Sequence, residues 1–255
     1  MTKTAPRIRK ARPALLLLLI ATALLASLFL SWRALASADF LFPLWYDVAD
    51  IGAHIEEFGP QNRYRDKFEE TSQSARLAAF AAIGRAVRDD GRGLDSLTYV
   101  DASGRSRTLL RPPEIVHLQD VARLIGILEP AGLAACILFV ALLYWLRRQP
   151  LELPGLGRLV GGAVLFVMAL VALVWAIGPR DVFYVFHEWV FPAGHQWFFY
   201  YQESLMSTLM KAPDLFGYIA AALVALAIVV LTLLLALAAH LTNSVGRKSL
   251  RNQRK

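Results

Sequence analysis

The chain has only one cysteine, and only 18% of its 255 residues are charged. A single thiol cannot form an intramolecular disulfide, so the segments between the apolar runs must fold without one. Because a reactive cysteine needs a thiolate and an apolar setting disfavours that anion, Cys136 is interpreted as a packing residue. The sequence also lacks a serine in a nucleophile elbow and a glycine loop of the phosphate-binding kind. The familiar motifs for serine nucleophiles and for nucleotide binding are therefore excluded.

Long uncharged runs dominate the rest of the chain. Hydrophobic residues make up 56% of it, whereas about 45–50% is usual for a soluble domain. Four runs approach the ~20 residues that cross about 30 Å of hydrocarbon. We therefore predict a mainly α, integral membrane protein with transmembrane helices at residues 14–37, 129–146, 159–178 and 216–240.

The basic residues lie at the ends of these runs and predict an orientation. The net charge is +7, but the cations are not gathered on a soluble domain with interleaved aromatics, so no nucleic-acid partner is expected. By the positive-inside rule, residues 1–13, 147–158 and 241–255 are cytoplasmic. The first loop segment (38–128) and the second loop segment (179–215) are then extracytoplasmic, and both termini of this cell-membrane protein are inside.

The first apolar run has a second interpretation. Basic residues, an apolar stretch and then Ala34-Leu35-Ala36 resemble a cleavable secretory signal. A retained helix is favoured, because the run is longer than a usual signal core and Trp32-Arg33 separates it from the small residues.

The first loop segment has the patterning of a small α+β domain. Apolar positions at helical spacing, with acids early and arginines late, predict an amphipathic helix over Tyr64–Val87. Residues 97–100 and 107–110 flank the turn 101–104 and predict a β-hairpin. Pro112-Pro113 then suits the start of another helix, because proline is tolerated at a first helical position.

Two histidines carry the chemistry that this sequence offers. Steps of three place Glu114, His117 and Asp120 on one broad face of the helix after Pro113. His187 lies in the aromatic second loop segment, on the same predicted side of the membrane. An imidazole removes a proton near neutral pH, and a nearby carboxylate fixes its tautomer. His117 and His187 are therefore the candidate catalytic residues, with Glu114 or Asp120 orienting His117, and any acyl chemistry would have to use them.

The remaining histidines are weaker candidates for the site, and a metal-binding site is disfavoured. His54 is interpreted as a bystander with ample solvent partners, and His240 as a bystander at the end of the fourth span. His195 is close enough to His187 in the chain to line the site. The spacing of Glu114, His117 and Asp120 lacks the paired histidines of a zinc-binding helix, so no metal is expected.

Sequence motifs in both loop segments resemble one known family. The residues are Pro113-Glu114-Ile115-Val116-His117-Leu118-Gln119-Asp120-Val121, then Phe186-His187-x-x-x-Phe191, Trp197 and Leu209-x-x-x-Pro213-x-x-Phe216. They resemble the bacterial lipoprotein intramolecular transacylase family, whose four-span plan also matches. The stretch around His195 departs from the Asn/Asp-rich segment of that family, which leaves the substrate contacts there open.

The resemblance implies an acyltransferase that acts on diacylglyceryl lipoproteins among membrane lipids, without a cofactor. It would move the sn-2 acyl chain to the α-amine of the N-terminal cysteine and give a lyso-form lipoprotein. His117 would act as general base and His187 at the ester oxygen, with the reverse assignment and a transient acyl-imidazole both open. Phe191, Trp197 and His195 would line the site.

Two other classes of function remain open on the sequence alone. One is a non-enzymatic membrane protein for assembly or binding, which would tolerate substitution of both histidines. The other is a histidine-dependent lipid-ester hydrolase, in which water replaces the amine. A transporter is disfavoured, because the spans contain almost no polar or charged residues.

Overall fold

The computed structural model of the chain describes residues 9–10, 13–148 and 151–253. Five basic residues that support the predicted orientation lie outside these ranges, namely Lys3, Arg7, Arg12, Arg254 and Lys255. The helices are α1 (Pro13–Ser37), α2 (Phe42–Val48), α3 (Ile51–Phe58), α4 (Gln73–Arg88), α5 (Pro112–Leu146), α6 (Leu156–Ile177), α7 (Pro179–Val190), α8 (Leu205–Leu209) and α9 (Asp214–Gln253). The strands are β1 (Arg9–Lys10), β2 (Thr98–Val100), β3 (Ser106–Thr108) and β4 (Leu151–Glu152).

Four of the helices, α1, α5, α6 and α9, are long and apolar enough to cross a membrane, which confirms the prediction of four spans. These four helices coincide with the long apolar runs of the sequence. Apolar side chains can face lipid, and a helix pairs the hydrogen-bonding groups of its own backbone. Helix α5 has 35 residues, which is about 52 Å at 1.5 Å per residue. It therefore exceeds the hydrocarbon thickness of about 30 Å, and its first turns carry Glu114, His117 and Asp120.

The chain divides into two compact units. The apolar unit comprises the described residues within the ranges 1–32, 129–178 and 223–255. Its core includes Leu19 and Ala23 of α1, Phe139 of α5, Leu159 of α6 and Leu235 of α9, all of them buried. Large apolar side chains on the opposite faces of these helices are exposed, as expected for surfaces that meet lipid.

The loop unit comprises residues 33–128 and 179–222 and contains both loop segments. Helix α4 buries Phe80 and Ile83 in its core, where the Phe80 ring stacks on Phe42 at a centroid distance of 3.9 Å. The second turn of α5 and helix α8 complete the same core through Leu118 and Leu209. One hydrophobic core therefore joins the first loop segment to the second.

The predicted hairpin is confirmed. Strands β2 and β3 pair antiparallel, with Thr98 opposite Thr108 and Val100 opposite Ser106. The Asp101 carboxylate organises the turn by accepting hydrogen bonds from Ser103 and from the Arg107 guanidinium. These bonds hold the pKa of Asp101 well below its usual range.

The predicted amphipathic helix begins later than the sequence pattern indicated. Helix α4 starts at Gln73 and not at Tyr64, and Ser72 caps it by accepting a hydrogen bond from the Ala75 amide. The preceding residues form turns, because the Asn62 side chain accepts hydrogen bonds from the amides of Tyr64 and Arg65. The acids that the pattern placed early in the helix therefore lie before its start.

Candidate functional site

The structure brings His117 and His187 together. His117 lies in the second turn of α5 and His187 near the end of α7, so they come from different loop segments. Their ring centroids are 6.2 Å apart, with 30° between the ring planes. Two imidazoles at this distance can act on neighbouring atoms of one substrate group.

Aromatic rings surround this histidine pair. The ring centroid of Phe183 lies 4.0 Å from that of His187, and the ring centroid of Trp197 lies 4.8 Å from it. Phe191 contacts both imidazoles, at 5.1 Å from His117 and 5.2 Å from His187. The pair therefore occupies a largely aromatic setting, which includes Trp197 and Phe191.

The backbone of α7 fixes the tautomer of His187. Its Nδ1 lies 2.7 Å from the carbonyl oxygen of Phe183. Because a carbonyl oxygen can only accept, Nδ1 carries the proton and donates it. The neutral ring then presents an unprotonated Nε2, which is the lone pair that a general base needs.

Burial of His187 favours that neutral ring. It lowers the pKa of His187 from its ordinary value, although the hydrogen bond to Phe183 opposes part of the effect. The imidazole is therefore unprotonated at neutral pH. The fixed Nδ1–H, and not the protonation state, favours His187 as the base, the reverse of the first assignment made from the sequence.

Neither expected carboxylate is hydrogen-bonded to His117 in the part of the chain that the structure describes. The completely buried Glu114 accepts hydrogen bonds from the Ser204 hydroxyl at 2.5 Å, the Met206 amide at 3.3 Å and the Arg111 amide at 2.6 Å. These three donors come from residues other than His117, so Glu114 makes no direct hydrogen bond to that ring among the described residues. Helical spacing places these residues on one broad face, but the partners of Glu114 come from distant residues and from the helix start.

Asp120 also has a different partner. Its Oδ2 lies 2.7 Å from Nδ1 of His195, and its Oδ1 lies 2.9 Å from the Arg123 guanidinium. The histidine that a carboxylate orients is thus His195. Over residues 9–10, 13–148 and 151–253, no three His, Cys, Asp or Glu side chains form a group that could hold a metal ion.

His54 is not the solvent-exposed bystander that the sequence indicated. It is 7% exposed and packs between the rings of Phe58 and Tyr201, with centroid distances of 4.7 and 4.5 Å. Its Nε2 is buried without a hydrogen-bond partner among the described residues. Burial, with a smaller contribution from Lys211, lowers the pKa of His54 to about 4, against a weaker opposing effect of Asp214.

This shift predicts a pH-dependent stability. Below pH 6.5 the unfolded chain takes up a proton at His54 that the folded chain refuses until about pH 4. The free energy of unfolding should therefore fall as the pH drops through this window, by about 3 kcal/mol in all. Thermal unfolding between pH 4 and 7 should show a shallower acid slope for His54→Phe than for the wild type.

A matched control for this measurement is His240→Phe, because His240 is exposed on α9. It should keep the wild-type slope. Equal slopes for the wild type and His54→Phe would show that His54 does not carry the effect.

A cavity of about 290 Å³ lies beside the histidine pair. Its walls share Phe183 and Trp197 with the surroundings of His187, and Phe199 with those of His117. Most of the wall is aromatic, and the other contributors include Arg180, Ser207 and Pro213. An apolar chain is the chemistry that such a wall accommodates best.

Sequence reasoning did not identify Phe183 or Ser204. Phe183, His187 and Phe191 are four residues apart, and this spacing was a readable signal for helix α7 within the aromatic segment. Ser204 caps α8 by accepting a hydrogen bond from the Ser207 amide. Its contact with Glu114 had no local signal, because the partners are far apart in the chain.

Comparisons with known proteins point to one family. The family model described as lipoprotein intramolecular transacylase Lit matches residues 105–212, which include both histidines. No protein of curated function gives a significant sequence match. The solved structure of a point mutant of the membrane-integral lipoprotein intramolecular transacylase Lit from Bacillus cereus matches with a TM-score of 0.60 and 14% identity, over 94% of this chain and 92% of that chain. Together, the sequence match and the shared fold confirm the resemblance of this chain to the lipoprotein intramolecular transacylase family.

Proposed function

We propose that this protein is a lipoprotein intramolecular transacylase that moves the sn-2 acyl chain of a diacylglyceryl cysteine to the α-amine of that cysteine. The observation that carries the proposal is the pair of His117 and His187, 6.2 Å apart, with the His187 tautomer set by the Phe183 carbonyl. The family match over residues 105–212 supports the same class of reaction.

One proton moves in two steps during the proposed reaction. Nε2 of His187 takes a proton from the attacking amine, and a nitrogen–carbon bond forms at the ester carbonyl. The carbon–oxygen bond to the glyceryl group then breaks, and His187 returns the proton to the departing oxygen. His117 donates a hydrogen bond to the carbonyl oxygen while negative charge develops there, which stabilises the tetrahedral intermediate.

The apolar surroundings favour transfer to the amine over transfer to water. Phe183, Phe191 and Trp197 cover the imidazoles and limit the water near them. The cavity of about 290 Å³ offers the adjoining place for part of an acyl chain. An ester is already activated relative to the amide that forms, so the reaction needs no cofactor.

A lipid-anchored substrate requires a site near the membrane. His117 and the apolar run that begins near Glu129 belong to the same continuous helix. Trp189 on α7 exposes 86% of its surface, and tryptophan favours the interface between lipid and water. With the basic flanks of the spans, these features support a site on the extracytoplasmic face.

Mass spectrometry of a lipoprotein N-terminal peptide tests the proposal. Cells that make the wild-type protein should yield an N-acyl, S-monoacylglyceryl peptide, and cells that make His117→Ala should retain the diacylglyceryl form. A lyso peptide with a free α-amine would indicate an esterase. An unchanged diacylglyceryl peptide in the wild-type cells would favour a binding or assembly protein.

A further inference from the structure

The contact between Asp120 and His195 joins α5 to the connection between α7 and residue 201. Asp120 lies one turn after His117, and its side chain is 2% exposed. Its Oδ2 lies 2.7 Å from His195 Nδ1. A carboxylate accepts and the imidazole nitrogen donates, so the bond also orients the His195 ring.

This connection supplies rings to the histidine pair but has little regular structure of its own. Helix α7 ends at Val190, and the next helical turn begins at Tyr201. Between them, Phe191, Trp197 and Phe199 reach the two imidazoles. A segment without a backbone ladder depends on side-chain contacts for its position.

We propose that the Asp120–His195 hydrogen bond is a clasp that positions Trp197 against His187, which makes His195 a positioning residue for the acyl transfer proposed above. His195 precedes Trp197 by two residues, and the Trp197 ring lies 4.8 Å from His187. Asp120 belongs to the helix that carries His117. The clasp therefore links the helix that carries His117 to the segment that carries Trp197.

Releasing the clasp has two consequences. Trp197 moves away from His187 and uncovers its ring, and the imidazole loses a contact that limits its orientation. Misplacement of a reacting group by about 1 Å can lower the rate about 100-fold. The effect falls on kcat more than on KM, because His195 itself does not hold the substrate.

The experiment compares His195→Ala with His195→Asn in the full-length protein. His195→Ala should lower kcat by about 10- to 100-fold, whereas the amide of Asn still donates to Asp120 and should restore most of the rate. Trp197→Ala combined with His195→Ala should be no slower than Trp197→Ala alone, since both act through one ring. Gln196→Ala is the control, because its side chain bonds only the Phe198 carbonyl in the same connection.

Carbethoxylation of His187 by diethyl pyrocarbonate, followed by peptide mass spectrometry, provides a readout that does not depend on turnover. His195→Ala should speed modification of His187 severalfold, and His195→Asn should leave it unchanged. Equal modification in all three proteins, or additive losses in the double variant, would overturn the clasp. If His195→Asn were as slow as His195→Ala, the imidazole itself would be needed and positioning would be wrong. A wild-type protein without transfer activity would contradict the proposed function and still leave the modification test decisive for the clasp.

Discussion

Replacing His187 by Ala is expected to lower the rate of acyl transfer by roughly 10²–10⁴-fold, the usual effect of a positioned acid–base group. The Phe183 carbonyl holds the proton on Nδ1, so Ala removes the one lone pair that the ring presents to substrate. The rate is best measured with a synthetic diacylglyceryl peptide in lipid bicelles, by the appearance of the N-acyl lyso product.

The pH dependence of the same rate provides a second check on His187. Because burial lowers the pKa of His187, protonation of this ring should reduce the rate only below the ordinary histidine value of about 6.5, in addition to the loss caused by protonation of the substrate α-amine at about pH 8. A protonated ring has no free Nε2 lone pair, so the loss at acid pH follows from the mechanism. A second decline centred between about pH 6.5 and the titration of the α-amine would contradict the lowered pKa of His187.

Two substitutions complete this comparison. His117→Ala should also be severely impaired, because it removes the proposed donor to the carbonyl oxygen. His240→Ala is the matched control, since that histidine is exposed on α9 and should retain the wild-type rate. Wild-type activity in His187→Ala would leave the proposed mechanism without its base.

Features set by local sequence were predictable in this chain. The four spans follow from long apolar runs, because a helix in lipid needs only length and apolar side chains. The hairpin follows from the turn at Asp101–Gly104, where Gly104 has a φ of 77° that glycine adopts without strain. The proximity of His117 and His187 was expected only because both loop segments adjoin membrane-spanning helices.

Features that depend on partners distant in the chain were not predictable. Helical spacing indicated that Glu114 or Asp120 would orient His117, yet these carboxylates accept hydrogen bonds from Ser204 and His195. Periodicity reports which residues share a face and carries no information about what packs against it. The start of α4 was missed for a related reason, since Asn62 captures two amides that would otherwise have favoured an earlier helix.

Replacing Glu114 by Ala is expected to cause a large loss of stability in the loop unit. Three donors, the Ser204 hydroxyl and the amides of Met206 and Arg111, point at this buried carboxylate. Buried donors without an acceptor cost about 1–3 kcal/mol each, so we expect a loss of roughly 3–5 kcal/mol in the free energy of unfolding. Unfolding in detergent, followed by tryptophan fluorescence, would measure it.

The pattern among related variants separates this role from simple loss of charge. Glu114→Gln keeps an oxygen for Ser204 and Met206 but turns an NH₂ group toward the Arg111 amide, so it should recover only part of the loss. Glu56→Ala removes an exposed carboxylate from α3 and should leave the unfolding temperature unchanged. The double variant with Glu114→Ala and Ser204→Ala should lose less stability than the sum of the two single variants. Both single variants break the same hydrogen bond, so its loss is counted twice in the sum. Full stability in Glu114→Ala would mean that the core shared by Leu118 and Leu209 joins the two loop segments without this carboxylate.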